Sequence, residues 1–290
     1  SRRSYNDKNR NWHIWSKEMK VLNKVVGFVG AGNMASSLIS GMIKAGLKPD
    51  NIIASSPGKT HLNVLSDKFG IKTSKDNKLV FKESEIIIFA VKPNVLKAVL
   101  DQYDKSAPTQ QALLISVAAG IKIADIEANL STAQRVIRAM PNTPTSISKG
   151  VTALCANKDA TDDDQQNAEE LFSSVGEVVH IQEKEMDLYT ALIGSGPAYI
   201  FYLIEALLES SSKIEIDEKT KKNMIASMIA GSAELALISE SSPAQLRKEV
   251  TSPGGVTQRA IEEFETNGLK RTILEAIEEA SKKSKELGES

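Results

Sequence analysis

Between Val25 and about Ile181 the chain alternates short apolar runs with stretches of helical period. Val25-Val26-Gly27-Phe28-Val29 is continuously apolar, the pattern of a strand buried on both faces of a parallel sheet. Met34, Leu38, Gly41, Met42 and Ala45 then recur at helical spacing, and Gly46 is placed to end that helix. The runs 51–55, 85–91, 112–117, 135–139, 151–156 and 177–181 predict further strands. Thr161 ahead of Asp162, Asp163 and Asp164 predicts a capped helix with acids on the positive end of its dipole, closed by Gly176. After Gln182 the strand signals stop. Segments 183–193, 197–210, 217–239, 243–250, 256–265 and 269–287 are helical by period, with Asp217 and Ser242 as N-caps and Pro243 in a first turn. The pattern reads as an α/β chain: a Rossmann-type, doubly wound, mostly parallel sheet over 19–181, then an all-α C-terminal domain over 182–290.

Met224 to Ile238 is apolar or small nearly all round, so that helix must be surrounded by protein. A domain of about a hundred residues encloses such a helix with difficulty. The expectation is an intertwined homodimer in which the C-terminal domain is the dimerisation domain.

Composition narrows the classes. The chain's 290 residues suit two domains, and 36 basic against 37 acidic residues leave a formal net charge of −1. No global field therefore recruits nucleic acid or an anionic membrane. No run is read as reaching the roughly 18 apolar residues a membrane span needs. Single Cys155 excludes an intrachain disulfide framework, and it sits in a strand-like run as a small apolar residue rather than a nucleophile. No histidine or cysteine spacing suits a metal. Residues 1–18 are polar and basic, hold Trp12 and Trp15, and show no sustained period; they read as a leader or extension without ordered structure, ahead of a natural start at Met19. A transit peptide is the rival, favoured by Arg2, Arg3 and Arg10 and opposed by Asp7, Glu18 and the lack of an amphipathic face. With no address signal recognised, the expected location is cytoplasmic.

Candidate chemistry begins at Gly30-x-Gly32-x-x-Ala35, which follows a strand and opens a helix. Its first glycine permits a tight turn, the second lets backbone approach a pyrophosphate, and Ala35 allows close helix–strand packing, which marks Gly30, Gly32, Asn33 and Met34 for a dinucleotide. At the end of the second strand, Ser55-Ser56-Pro57-Gly58-Lys59 offers hydroxyls and an ammonium, with no carboxylate to repel a ribose 2′-phosphate. NADP(H) is favoured, and a solvated turn accepting NAD(H) as well is the alternative. Ala90-Val91-Lys92-Pro93 ends another strand, where it flanks a cofactor or simply exposes a lysine. Met140-Pro141-Asn142-Thr143-Pro144 predicts a stiff extended turn able to hold a nicotinamide ring through Asn142, or a plain domain-edge turn. Far along the chain, Thr251-Ser252-Pro253-Gly254-Gly255-Val256-Thr257 makes a loop of bare amides at a helix N-terminus with one hydroxyl beside it. Such a loop suits a small anion that carries a polar reacting atom, and with a dinucleotide site it suggests a reductase.

These motifs, with Gly194-Ser195-Gly196-Pro197-Ala198-Tyr199 between them, resemble Δ1-pyrroline-5-carboxylate reductases in kind and in order from residue 27 to 257. The resemblance implies reduction of the C=N bond of L-1-pyrroline-5-carboxylate to L-proline by NAD(P)H, in a homodimer assembled into a larger homo-oligomer. It makes Ser252, Gly254, Gly255 and Thr257 substrate-binding. The amides of Gly254, Gly255 and Thr257 fit the carboxylate, and the Thr257 hydroxyl fits the ring nitrogen as a positioning and relay group. Glu240 matches the family's acid near that nitrogen, where it would favour an iminium; a surface acid at a helix end is the plainer alternative. Val256 stands where the family often has alanine, a difference of packing. The rival enzyme is another NADP-dependent imine or β-hydroxyacid reductase, with Asp187, Tyr189 or Tyr199 as donor. A non-catalytic dinucleotide sensor would need the cofactor loop but not the anion loop.

Overall fold

The computed structural model describes residues 20–106 and 111–289. The 1–18 segment and Met19 lie outside the described residues. The chain divides into two compact units, one running through Met186 and including Leu287 onward, the other Asp187–Glu286.

In the first unit the strands are β1 (Val26–Val29), β2 (Ile52–Ser55), β3 (Lys72–Ser74), β4 (Ile86–Phe89), β5 (Leu113–Ser116), β6 (Val136–Met140), β7 (Gly150–Ala156) and β8 (Gly176–His180). Between them run α1 (Asn33–Lys44), α2 (Lys59–Phe69), α3 (Asn77–Glu83), α4 (Pro93–Lys105), α5 (Ile123–Glu127) and α6 (Asp162–Ser173). The eight strands form one sheet in the order β3-β2-β1-β4-β5-β6-β7-β8. All neighbours are parallel except β6 and β7. That reversal follows from the connection 141–149, which is too short for the crossover a parallel pair requires. It is not extended throughout, as the prolines had suggested. Thr143–Ile147 is a 3₁₀ turn with Pro144 in its first positions, where a missing N–H costs nothing, and Ser148 at φ 57° ends it.

Every residue of β1, β2, β4 and β5 is buried, which is why these strands read as continuous apolar runs. The short β3 carries Lys72, Thr73 and Ser74 at the sheet edge and gives no such signal. Helix α1 lays Ala35, Leu38, Ile39 and Met42 into the core beside Phe28, Leu171 and Phe172. Thr161 caps α6 through Asp164, as its sequence predicts, and Arg135 pairs with the same carboxylate at 2.7 Å. Gly176 does not close that helix, which ends at Ser173. It opens β8 opposite Gly150, whose carbonyl oxygen would lie 2.0 Å from any Cβ added there.

The second unit is helical. It holds most of α7 (Met186–Tyr189), a π-helical turn Thr190–Gly194, then α8 (Gly196–Ser210), α9 (Glu218–Ile238), α10 (Pro243–Glu249), α11 (Val256–Thr266) and all but the end of α12 (Leu269–Glu289). Asp217 and Ser242 cap α9 and α10 through the amides of Thr220 and Gln245. Large apolar side chains stand open on this unit: Tyr202 is 74% exposed on α8 and Leu237 is 81% exposed on α9. The segment Glu183–Ser210 is long and apolar enough, by length and composition alone, to cross a membrane, its most apolar 18-residue window having mean hydropathy 1.5. That corrects the expectation that no run reaches such a length.

Candidate active site

Register decides where the first site lies. Val26 of β1 aligns with Ile52 and Ile86, and Val29 with Ser55 and Phe89, so β1, β2 and β4 end at one level. Their exits form the carboxyl edge where open α/β sheets receive ligands. Gly30 leaves β1 at φ 108°, its amide donating to the Ser55 carbonyl at 2.8 Å, while the Ala90 amide donates to Val29. A Cβ on Gly30 would sit 2.3 Å from the Ala90 oxygen, so the turn is tight because the β4 exit lies against it. Gly32 is the N-cap of α1, has no side-chain capping bond, and meets nothing within 4 Å of a would-be Cβ. The first-turn amides of Asn33 and Met34 are therefore open toward that side, the arrangement that accepts a pyrophosphate. The residues present fit a dinucleotide.

At the β2 end the sequence-predicted trio separates. Ser55 is fully buried and its hydroxyl is committed inward, donating 2.8 Å to Asn77 Oδ1 and 3.3 Å to the Phe28 carbonyl. The hydroxyl is thereby turned away from a phosphate; a fully buried serine needs such partners. Ser56 is half-buried and Lys59, at the first position of α2, is exposed. Lys59 lines a cavity of about 310 Å³ with Leu62, Asn63, Thr73, Ser74 and Lys75. Neither lysine is ion-paired among the described residues. Thr73 and Ser74 were missed from the sequence because the strand that carries them was missed, and with it Lys75, which follows it.

Ala90 and Val91 are half-buried at the β4 exit, and exposed Lys92 caps α4 ahead of Pro93. Asn142 is buried, with Oδ1 accepting from the Val151 amide at 2.9 Å, so part of its amide fixes the turn between β6 and β7. Thr145 in the same turn donates to the Met34 sulfur at 3.8 Å, tying that turn to the glycine-rich loop. A larger hollow of about 680 Å³ lies along α4, lined by Asn94, Lys97, Asp101, Asp104, Asn129 and Ser131 among others. It contains none of the motif residues. Asp104 there accepts from the amide and hydroxyl of Ser131, which hold its carboxyl below the usual range.

The anion loop lies in the second unit. Gly254 has φ 70°, Gly255 is the N-cap of α11, and Thr257 is exposed in its first turn. Two of the expected donors are in use: the Gly255 amide bonds the Ser252 carbonyl at 3.0 Å, and the Gly254 amide bonds Gln258 Oε1 at 2.6 Å. The amides without a partner among the described residues are those of Val256, Thr257 and Gln258. Three consecutive open donors at a helix N-terminus still make an anion seat. It keeps Thr257 of the expected donors and has Val256 and Gln258 in place of Gly254 and Gly255. Ser252 is exposed, and its carbonyl holds the turn. Glu240 is exposed and lies beyond the end of α9, in the short link to α10.

Cys155 is buried beside Arg138 and Glu183; burial first, and the Glu183 charge second, push its thiol up to about 11. It stays a neutral thiol at physiological pH. His180 is half exposed and 3.2 Å from Glu169.

Residues 183–287 match the family description "Pyrroline-5-carboxylate reductase dimerisation", and residues 25–120 match "NADP oxidoreductase coenzyme F420-dependent". A pyrroline-5-carboxylate reductase from Methanosarcina acetivorans is 40% identical over 267 residues, covering 92% of this chain and 98% of its own. The chain belongs to the pyrroline-5-carboxylate reductase family. Among solved relatives, the pyrroline-5-carboxylate reductase of Coxiella burnetii superposes with a TM-score of 0.85 at 35% identity, covering 92% of this chain and 99% of that one. The pyrroline carboxylate reductase of Plasmodium falciparum, solved with NADP bound, gives 0.82 at 32% identity, over 92% and 98%. Membership accounts for the uncovered apolar faces of α8 and α9, since both lie in the matched dimerisation region. The matched N-terminal region carries an NADP oxidoreductase description, and the Plasmodium falciparum relative holds NADP.

Proposed function

We infer that this reductase converts L-1-pyrroline-5-carboxylate to L-proline, the closing step of proline biosynthesis. The observation that carries the reading is the pairing, in one chain of this family, of a dinucleotide turn at Gly30–Met34 with an anion seat at Val256–Gln258. NADPH, when bound, supplies the hydride that adds to the ring carbon of the C=N bond. Balance then requires one proton on the ring nitrogen. The open amides at the start of α11 bind the carboxylate without a charged side chain, and the macrodipole reinforces them. The Thr257 hydroxyl orients the nitrogen and relays its proton; Glu240 supports the protonated imine by charge. Thr257→Ala is expected to lower kcat several-fold or more while the KM for NADPH changes little, as measured by steady-state NADPH oxidation with pyrroline-5-carboxylate. Unchanged turnover would remove that role from Thr257.

For the cofactor, Ser56, Lys59 and Lys75 are the groups we assign to the ribose 2′-phosphate, supported by the cavity that Lys59 and Lys75 border and by the lack of an acid paired with either lysine among the described residues. Reversing the charge in Lys75→Glu should raise the KM for NADPH about ten-fold and leave that for NADH nearly unchanged. Equal effects on both cofactors would point to general damage instead. A second copy of the chain, rather than lipid, is the cover we assign to the α8 and α9 faces, giving an intertwined homodimer that builds a larger homo-oligomer. The single thiol fits a reducing, cytoplasmic setting.

A further inference from the structure

We propose that Gln258 is a built-in competitor for the substrate's carboxylate, holding the anion loop partly occupied by the chain's own side chain. The inference rests on the loop being the carboxylate seat, as above. Its evidence is the contact between Gln258 Oε1 and the Gly254 amide at 2.6 Å, made across the turn at φ 70°. The same side chain donates from Nε2 to Glu262 Oε1 at 2.7 Å, one turn further along α11. Gln258 is thus held at both ends. One donor of the loop is filled by a neutral carbonyl oxygen, while the amides of Val256, Thr257 and Gln258 stay open.

A carboxylate is a stronger acceptor than a side-chain amide, because its bonds to N–H groups are charge-assisted. An acid seated on the open amides of Val256, Thr257 and Gln258 therefore gains further by taking the Gly254 amide from Gln258. The displaced Oε1 finds water at the exposed end of the helix, and Nε2 keeps Glu262. Displacement weakens substrate binding by the cost of breaking the internal bond. The opposite effect, in which Gln258 stiffens a loop that would otherwise be slack, has the opposite sign and is separable. The Gly255 amide already holds the turn through Ser252, so the loop is closed without Gln258.

Two variants test this in full-length protein. Gln258→Leu removes the competing oxygen, and the KM for pyrroline-5-carboxylate is expected to fall about five-fold with the KM for NADPH unmoved. Gln258→Glu places a carboxylate at the same reach and should raise that KM about ten-fold, by competing more strongly and by repelling the acid. Amide exchange at Gly254, followed in wild type and Gln258→Leu, should be faster in the variant, and this readout needs no turnover. A KM that rises or stays fixed in Gln258→Leu, or Gly254 exchange that is unaltered, overturns the proposal. Absence of pyrroline-5-carboxylate-dependent NADPH oxidation in wild type would instead overturn the proposed function, leaving the exchange result to judge Gln258 alone.

Discussion

Gly30→Ala is expected to abolish NADPH binding and lower the stability of the first unit by several kcal/mol. Two costs add. Gly30 sits at φ 108°, a conformation an L-residue with a side chain adopts only at a strain of about 1–3 kcal/mol. The added methyl would also meet the Ala90 oxygen at 2.3 Å and its carbonyl carbon at 2.7 Å. Those atoms are backbone at the exit of β4, itself hydrogen-bonded to Val29, so no side chain can swing aside. Relief requires moving the turn or the strand end, and overpacking of this sort costs about 1–3 kcal/mol more. Against a total of about 5–15 kcal/mol for a typical domain, the loss is a large share. Displacing the turn also misaims the first amides of α1, so NADPH affinity should fall at least about a hundred-fold by fluorescence titration. Gly32→Ala is the control. Its backbone is extended, with φ −77°, and its Cβ would meet nothing within 4 Å, so the variant should melt like wild type. It should bind NADPH more weakly only where the pyrophosphate passes close to that carbon. Equal melting and equal affinity in Gly30→Ala would show that the turn is not what holds the cofactor.

That contrast shows what a sequence can and cannot carry. Gly-Ala-Gly-Asn-Met was legible because a continuously apolar strand before it and a helical period after it fix the context. Which glycine is strained, and against what, depended on the β4 exit sixty residues away. The buried strands were legible for the same reason that they are buried. Strand β3 was not: three polar residues at a sheet edge leave no periodic signal, and with β3 went Thr73, Ser74 and the Lys75 that follows it. The direction of the Ser55 hydroxyl was not legible, because a hydroxyl at a strand end looks the same in sequence whether it faces a ligand or, as here, Asn77.

The anion loop tells a similar story. Its glycines and its helix start were readable from the order Ser-Pro-Gly-Gly followed by an apolar period. The free donors were not, since a hydrogen bond from Gly254 to a side chain four residues on is a matter of rotamer. The apolar surround predicted for α9 is explained differently within a single chain. Met224, Met228, Leu235, Leu237 and Ile238 are all exposed there, so composition alone had registered a surface that asks for a second copy.

Arg138 was also missed, and it carries the second large effect. It sits within the strand β6, where the run Val-Ile-Arg-Ala reads as apolar with one charge out of place. Its side chain is 2% exposed and bonds Glu183 Oε1 at 2.6 Å, while Nη2 is buried without a partner among the described residues. The same carboxylate oxygen accepts the Ile123 amide at 3.4 Å. A guanidinium cannot shed its charge, so removing the acid leaves an uncompensated buried cation. Glu183→Ala is therefore expected to cost about 2–3 kcal/mol, below the full range for a buried pair because the Glu183 side chain is about one-third exposed and partly screened. Urea denaturation followed by far-ultraviolet circular dichroism, at one protomer concentration for all variants, measures it. Arg138→Met with Glu183→Leu should recover much of that loss, because neither charge then needs a partner. If the double variant were less stable than Glu183→Ala alone, the pair would be earning its place through packing of the Arg138 stem rather than through charge.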